Sequence, residues 1–226
     1  MNKYTINTTE GLLTIKLPSS INEVTLGQMI ELQENPELTD IGVIGVFSYV
    51  PLETLYTALN INDYEALGGN IMLLSKEIAY LKNVDVVPRK IKIDGKNIKI
   101  GSRLTISPLG ALLTTRDIIA DEINRHIVIF GEDNWMPNFN PSLRACQNIM
   151  AEYLYFKVTG QPYATDCVVA FRDKVKYLPI NVVLPITKAL ILNYPEFKDP
   201  KISFLTRCKN LFNQTLAVKR FNKIKR

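Results

Sequence analysis

His126 is the only imidazole in the chain, so any general base, proton shuttle or catalytic triad would have to be assembled around it. Its sequence neighbours do not complete such a set. Asp117, Asp121 and Glu122 precede it near what reads as the end of a helix, where cationic character suits the helix dipole, and no Gly-x-Ser-x-Gly elbow exists to present a nucleophile. His126 therefore reads as a surface or capping residue. The pairs Asp121/Glu122 and Glu132/Asp133 are adjacent, so on a helix or strand their carboxylates diverge and read as solvated surface.

Metal and phosphate chemistry find as little support. Cys146, Cys167 and Cys208 are separated by 21 and 41 residues, far from the short Cys/His spacings that build zinc sites, and read as buried or idle reduced thiols. Gly42-Val43-Ile44-Gly45 and Gly68-Gly69 lack the lysine and the spacing of a phosphate-binding loop; close packing or helix ends explain them better. The residues thus predict no catalytic centre, no cofactor, no metal and no enzymatic activity. The uncharged stretch from Ile41 to Leu52 has 12 residues, short of the roughly 20 that span a bilayer, so no membrane partner is expected. An odd cysteine count and the absence of a signal-peptide core in MNKYTINTTEG point to synthesis in the cytoplasm.

Composition directs attention to assembly instead. With 226 residues, 46% hydrophobic and 22% charged, the chain can bury a core, and disorder, collagen and a disulfide-rich mini-protein are poor descriptions. Charge is divided along it. Residues 1–85 carry 4 Lys/Arg against 11 Asp/Glu, a net of −7, whereas residues 86–226 carry 23 against 11, a net of +12. From Lys201 onward there are 8 basic residues and no acidic one. Such polarity favours head-to-tail contact between copies, or contact of the basic end with an acidic protein or with nucleic acid.

At the extreme end Lys219, Arg220, Lys223, Lys225 and Arg226 interleave with Phe221 and Ile224, a pattern suited to phosphate contacts beside an apolar anchor. No helix-turn-helix or single-strand-binding signature accompanies it, so only non-specific contact with packaged DNA is compatible; a solvated lysine-rich helix is the plainer alternative. Trp135 lies in the proline-rich loop Asn134 to Pro141, where its indole would either anchor a neighbouring subunit or fill the chain's own core.

The elements that would position these residues are organised by an internal duplication. A shift of 83 residues aligns Thr14 to Gly27 with Asn97 to Gly110 without a gap and with five of fourteen identities: Ile15/Ile98, Lys16/Lys99, Ser19/Ser102, Leu26/Leu109 and Gly27/Gly110. Each copy predicts a β-hairpin followed by a capped helix. In the second, Lys90 to Ile93 and Lys96 to Ile100 flank Asp94-Gly95, whose residue types suit two positive φ angles. In the first, Tyr4 and Ile6 alternate on one strand and Leu13, Ile15 and Leu17 on the other. Thr25 with Gln28 predicts a capping box, and Ser107 followed by Pro108 predicts a hydroxyl N-cap with proline at the first helical position.

The remainder reads as helix. Asn62 resembles a cap for a stripe of Tyr64, Leu67, Ile71, Leu74, Ile78 and Leu81, which Gly68-Gly69 would weaken. Asn140-Pro141 opens a helix to about Lys157 closed by Gly160, Thr165 opens another, residues 180–194 form a third that is interrupted or kinked at Pro185, and residues 201–224 a terminal one with Ile202, Leu205, Cys208, Phe212 and Leu216 inward. The expectation is an α+β, helix-dominated fold: two hairpin-plus-helix repeats, acidic in 1–86 and repeated in 87–160, then a basic C-terminal helical region in 161–226.

At Glu23 to Gln33, EVTLGQMIELQ, and again at Tyr163 to Asn193, the chain resembles small proteins of tailed bacteriophages of gut Bacteroidales, the crAss-like group included. In many of these a strand with a Gly-Lys turn precedes a T-x-G-Q-h-h-x-L helix, where h is apolar, and a leucine-proline helical pair follows; some are labelled tail assembly chaperones. The second copy departs from that motif, with Pro108 and Ala111 in place of threonine and glutamine. The resemblance implies a tailed-phage protein made in the host cytoplasm, and with the segregated charge it predicts a non-enzymatic virion part: a homo-oligomeric ring of the neck or tail at the portal vertex, touching the portal or the DNA conduit. The alternatives are a tail assembly chaperone absent from the finished particle and a DNA-binding accessory protein.

Overall fold

The computed structural model describes residues 1–81, 86–101 and 104–193, with the backbone alone at position 61. Among them are eight α-helices and two separate two-stranded antiparallel sheets, an α+β fold dominated by helix. Strands β1 (Asn2–Thr8) and β2 (Gly11–Leu17) pair from Asn2 opposite Leu17 to Thr8 opposite Gly11. Period-two alternation turns Ile6, Ile15 and Leu17 into the core. Strands β3 (Lys90–Ile93) and β4 (Lys96–Lys99) meet at Asp94 and Gly95, whose φ values of 49° and 75° are those the Asp-Gly pair predicts. Ile91 and Ile93 are buried, and Ile91 lies opposite Ile98.

The helices are α1 (Leu26–Glu34), α2 (Asp40–Ser48), α3 (Leu52–Leu55), α4 (Ile61–Tyr80), α5 (Leu109–Phe130), α6 (Leu143–Thr159), α7 (Thr165–Val175) and α8 (Ile180–Leu192). The duplication holds to the residue at the helix starts: Leu26 opens α1 and Leu109 opens α5, each following its hairpin. Ser102, one of the five identities, lies outside the described residues, as does Arg103.

Thr25 and Gln28 form the expected capping box, the Gln28 amide donating to Thr25 Oγ1 at 3.2 Å and the Thr25 amide to Gln28 Oε1 at 2.9 Å. The second copy corrects the expectation. Pro108, after a cis peptide bond, is itself the N-cap of α5 in extended geometry and provides no side-chain acceptor, so the Ser107 hydroxyl does not cap. A cap residue's own N–H lies outside the helix, which is why proline is tolerated there.

Two further helix starts shift by one or two residues. The cap of α4 is Asn60, which accepts from the Asn62 amide at 2.9 Å, and Ser142 caps α6 by accepting from the Ala145 amide at 3.1 Å. A side-chain oxygen two or three residues ahead of a free amide decides each start, in preference to the Asn-Pro punctuation. The stripe of α4 is as expected, with Leu67, Leu74 and Leu81 buried, and Gly68-Gly69 does not interrupt the helix. Gly160, at φ 66°, closes α6. Helix α8 runs through Pro185. The expected helix over 201–224, with Ile202, Leu205, Cys208, Phe212 and Leu216, lies outside the described residues.

Helix α6 is the axis of the molecule. Cys146, Ile149, Met150, Ala151, Tyr153 and Leu154 are at most 1% exposed, and α1, α5, α7, α8 and β4 pack around them. One continuous cluster of buried side chains joins Ile6 and Ile15 of the first hairpin to Leu190 and Ile191 of α8, so a common core crosses all three expected segments. The entry of α1 is stitched to the α7–α8 link: the Leu26 amide donates to the Leu178 carbonyl at 2.9 Å, Gly27 to Lys176 at 2.8 Å, and Ile180 back to Val24 at 2.9 Å. Helix-end donors that an isolated hairpin and helix would leave to water are thereby satisfied by chain 150 residues away.

Candidate functional site

Helices α5, α6 and α7 bring titratable groups into the interior in two sets. The first set lies where α5 meets the start of α6. His126 is 3% exposed and not on the surface, because it continues the buried stripe of Ala111, Thr115, Ile119 and Ile123 on a helix that runs four residues beyond it. Its Nδ1 lies 2.7 Å from the Glu122 carbonyl, and its Nε2 accepts from the Asn140 amide at 3.1 Å. A single neutral tautomer, with the proton on Nδ1, satisfies both contacts. Phe139 tilts against the ring at 4.8 Å and Phe130 stacks at 6.1 Å.

Glu122 is also turned inward, correcting the solvated reading; Asp121, Glu132 and Asp133 are exposed as expected. Its carboxylate accepts from the Ser142 hydroxyl at 2.7 Å, the Ser142 amide at 2.9 Å and Arg125 Nη2 at 2.7 Å. Burial pushes its pKa up, but the Arg125 guanidinium and the two Ser142 donors outweigh burial and hold it below the ordinary value. A serine, a histidine and a glutamate thus share one corner without forming a triad, since both imidazole nitrogens face backbone groups and the serine hydroxyl faces Glu122 and Ala145. Together they clip the 131–142 loop onto α5 at Asn140 and Ser142.

That loop contains Trp135, which is 8% exposed and meets Phe139 edge-on at 5.8 Å. Of the two roles open to it in the sequence, the described residues place the indole in the chain's own core, within the turn over 132–138. Lys219, Arg220, Phe221, Lys223, Lys225 and Arg226 lie outside the described residues.

The second set was not legible in the sequence. Glu152 on α6 is 1% exposed, and neither carboxylate oxygen has a hydrogen-bond partner; Arg172 Nε on α7 is likewise buried and unpartnered. Burial pushes the Glu152 pKa up, and the nearby Tyr163 hydroxyl and Arg172 charge oppose this without cancelling it. The Tyr163 hydroxyl is shared with Thr114 Oγ1 at 3.0 Å. Glu152 falls between apolar residues of a helix buried on every side, which only the packing of α5 and α7 around α6 reveals. Cys146, on the same helix, is fully buried and its thiol is pushed up to about 11 by burial, whereas Cys167 is exposed. Among the described residues no cluster of three or more His, Cys, Asp or Glu could hold a metal ion, and no helix is long and apolar enough to cross a membrane.

One open feature of the surface of the described residues is a groove along α1. One cleft of about 360 Å³ is lined by Leu38, Val46, Val50 and Leu52 with Tyr49, and a second of about 250 Å³ by Glu34, Arg144, Lys176 and Tyr177. Glu31 and Tyr49 line both, so the two clefts adjoin along α1. Gly42 and Gly45 form the floor of the first. A Cβ on Gly42 would meet Leu38 Cδ2 at 2.8 Å, so these glycines serve close packing, as their spacing suggested. Tyr49 ends α2 with φ 57° and stands 58% exposed with its hydroxyl 3.0 Å from Thr25 Oγ1. Glu34 is held by Arg144 in a bidentate pair at 2.7 and 3.0 Å, while the exposed carboxylate of Glu31 has no ion-pair partner among the described residues. A run of Glu31, Glu34 and Glu37 ahead of apolar Ile41 to Phe47 was the sequence signal for this acidic-to-apolar boundary.

No protein-family description, curated protein or solved structure matches the chain.

Proposed function

We propose that the chain is a non-enzymatic structural component of a tailed-bacteriophage virion, one that assembles head to tail into a ring of the neck or tail at the portal vertex. The observation that carries this reading is a pair of different apolar faces, one in each half of the chain. On α4 Met72 and Leu73 are each 65% exposed and Tyr80 is 70% exposed, on the side away from the buried stripe and around the exposed Lys76. On α5 Leu109, Leu112 and Leu113 are exposed in the first turns and Val128, Ile129 and Phe130 in the last. Monomeric proteins keep such surface small, and two unlike patches are what a heterologous, ring-closing contact requires.

Charge supports the same polarity. The acidic half carries the α4 face, the basic half the α5 face, and 9 of the basic residues against 2 acidic ones fall in 194–226. The buried polar groups of the α5–α6 corner serve to fix the fold, which is consistent with a structural part.

Light scattering and electron microscopy of the purified chain, with and without portal, test the reading, and mass spectrometry of virions completes it. Closed multimers and many copies per particle are expected. A chain that binds a tail component but is absent from particles would instead be a tail assembly chaperone, and a strictly monomeric chain would overturn the ring.

A further inference from the structure

We infer that the groove along α1 receives the basic C-terminal segment, residues 201–226, of a second copy of this chain, so that each subunit is joined to the next by an arm. The inference rests on the ring reading above and names its joint. Three observations converge on it.

The groove changes character along its length in a way that specifies its occupant. Leu38, Val46, Val50 and Leu52 make one end apolar, Tyr49 and Tyr177 stand at its edges 58% and 73% exposed, and Glu31, where the two clefts join, has no ion-pair partner among the described residues. Glu37 and Asp40 are exposed at the entrance to α2, so a segment lying here meets an acidic surface before and beside the apolar cleft. Arg144 and Lys176, the basic residues of the second cleft, are occupied by Glu34 and Asp173 and do not reverse that sign.

The segment 201–226 has the complementary pattern. Its 8 basic and no acidic residues oppose the net −7 of residues 1–85. Ile202, Leu205, Cys208, Phe212 and Leu216 recur at spacings of three and four, and Arg207 and Lys209 flank the middle of that row. An apolar side chain of this row entering the cleft of Leu38, Val46, Val50 and Leu52 would bring Lys209 or Arg207 toward Glu31. Spacings of three and four suit one apolar side of a helix, which a segment of this sequence would lay against a surface.

Length and exit point allow a reach to a neighbour. The last described residue is Asn193, at the C-terminal end of α8, whereas the groove is beside the N-terminal end of that helix, at Tyr177. Thirty-three residues follow Asn193. Exchange of an identical element between copies buries the same contacts as a return onto the same subunit and, in a ring, repeats them at every joint.

The test uses the full chain and its native Cys208. In a Cys167→Ser background, Leu52→Cys places a thiol at the rim of the apolar cleft, while Cys146 remains buried. Mild oxidation is expected to give an inter-chain disulfide between positions 52 and 208, seen as a ladder on denaturing gels, mapped by mass spectrometry and abolished by Cys208→Ser. Glu31→Lys is expected to raise the concentration for half-assembly at least tenfold at low salt, and Lys209→Glu in the same chain to restore it. Multimers that form without this disulfide and ignore Glu31→Lys would leave the ring standing and overturn the arm. A monomer with an intra-chain 52–208 disulfide would show the segment covering its own groove, and a monomer with neither link would remove both the ring and the arm.

Discussion

Gly27 and Gly110, 83 residues apart, occupy the second position of α1 and α5, and at each a distant segment fills the space a side chain would need. A Cβ on Gly27 would lie 3.2 Å from Lys176 Cβ and 3.3 Å from the Lys176 carbonyl, and one on Gly110 2.6 Å from the Tyr163 ring. Tyr163 leads into α7 and Lys176 leads toward α8, so the duplicated hairpin–helix joints are docked on successive links of the C-terminal helices.

The two glycines should therefore respond unequally to alanine. Gly110→Ala forces the Tyr163 ring away from its Thr114 partner and is expected to cost about 1–3 kcal/mol. Gly27→Ala should cost less, and Gly68→Ala, with nothing within 4 Å, should stabilise by about 0.5–1 kcal/mol. Urea denaturation of the three variants gives the ranking; equal effects would mean that Tyr163 does not press on α5.

Gln28 joins two helix ends at once. Its Oε1 accepts from the Thr25 amide while its Nε2 donates to the Phe47 carbonyl at 3.0 Å, near the end of α2, and the residue is 1% exposed. Gln28→Ala leaves a buried donor and a buried acceptor unmatched, and a loss of about 2 kcal/mol is expected. Gln28→Glu should be worse than a surface Gln→Glu change, because a carboxylate cannot donate to Phe47. Midpoints of chemical denaturation decide both.

Acid should loosen the α5–α6 corner. Glu122 has a folded-state pKa below its unfolded value, so its contribution is fully present above the unfolded value and is lost as pH falls through the folded one. Glu122→Gln should flatten the decline of stability on the acid side and lower stability at neutral pH. A wild-type acid slope retained in that variant would assign the titration elsewhere.

Glu152 predicts the opposite sign. Its pKa is raised on folding, so between the ordinary and the raised value the folded chain holds a proton that the unfolded chain has lost, and stability falls as pH rises through that window. Glu152→Gln, which resembles the protonated acid, should remove that fall and melt higher than the parent above the window, with little difference below it. Melting curves from acid to neutral pH suffice.

Thiol labelling of the folded chain should modify Cys167 and spare Cys146 until the protein unfolds, since Cys146 is buried among α6 neighbours and its thiol is pushed up to about 11. Peptide mapping by mass spectrometry reads the two sites separately. Rapid modification of Cys146 under native conditions would contradict the central position of α6.

The local elements were legible in the sequence because they rest on short-range chemistry. Asp94-Gly95 dictates a turn, Thr25 and Gln28 cap each other across three residues, and the stripe of Leu67, Leu74 and Leu81 repeats with the helix period; none of these needs a distant partner. The shifted starts are not a matter of range, since Asn60 and Ser142 each find their amides within three residues; Asn62 and Asn140-Pro141 are rival cap and punctuation signals in the same short stretch. Direction into or out of the core was a different matter. His126 reads from the sequence as a surface or capping residue; that it continues the buried stripe of Ile119 and Ile123 was decided by the packing of α5 against α6. Glu122, Glu152 and Trp135 were decided the same way, because burial is a property of the assembled surfaces of several helices and a residue's type carries no record of which neighbour will cover it. The sequence alone determined the hairpins, the helix periods, the repeat and the division of charge; the tertiary structure alone decided which polar groups were closed off from water, and therefore which of them titrate, clip a loop or line a groove.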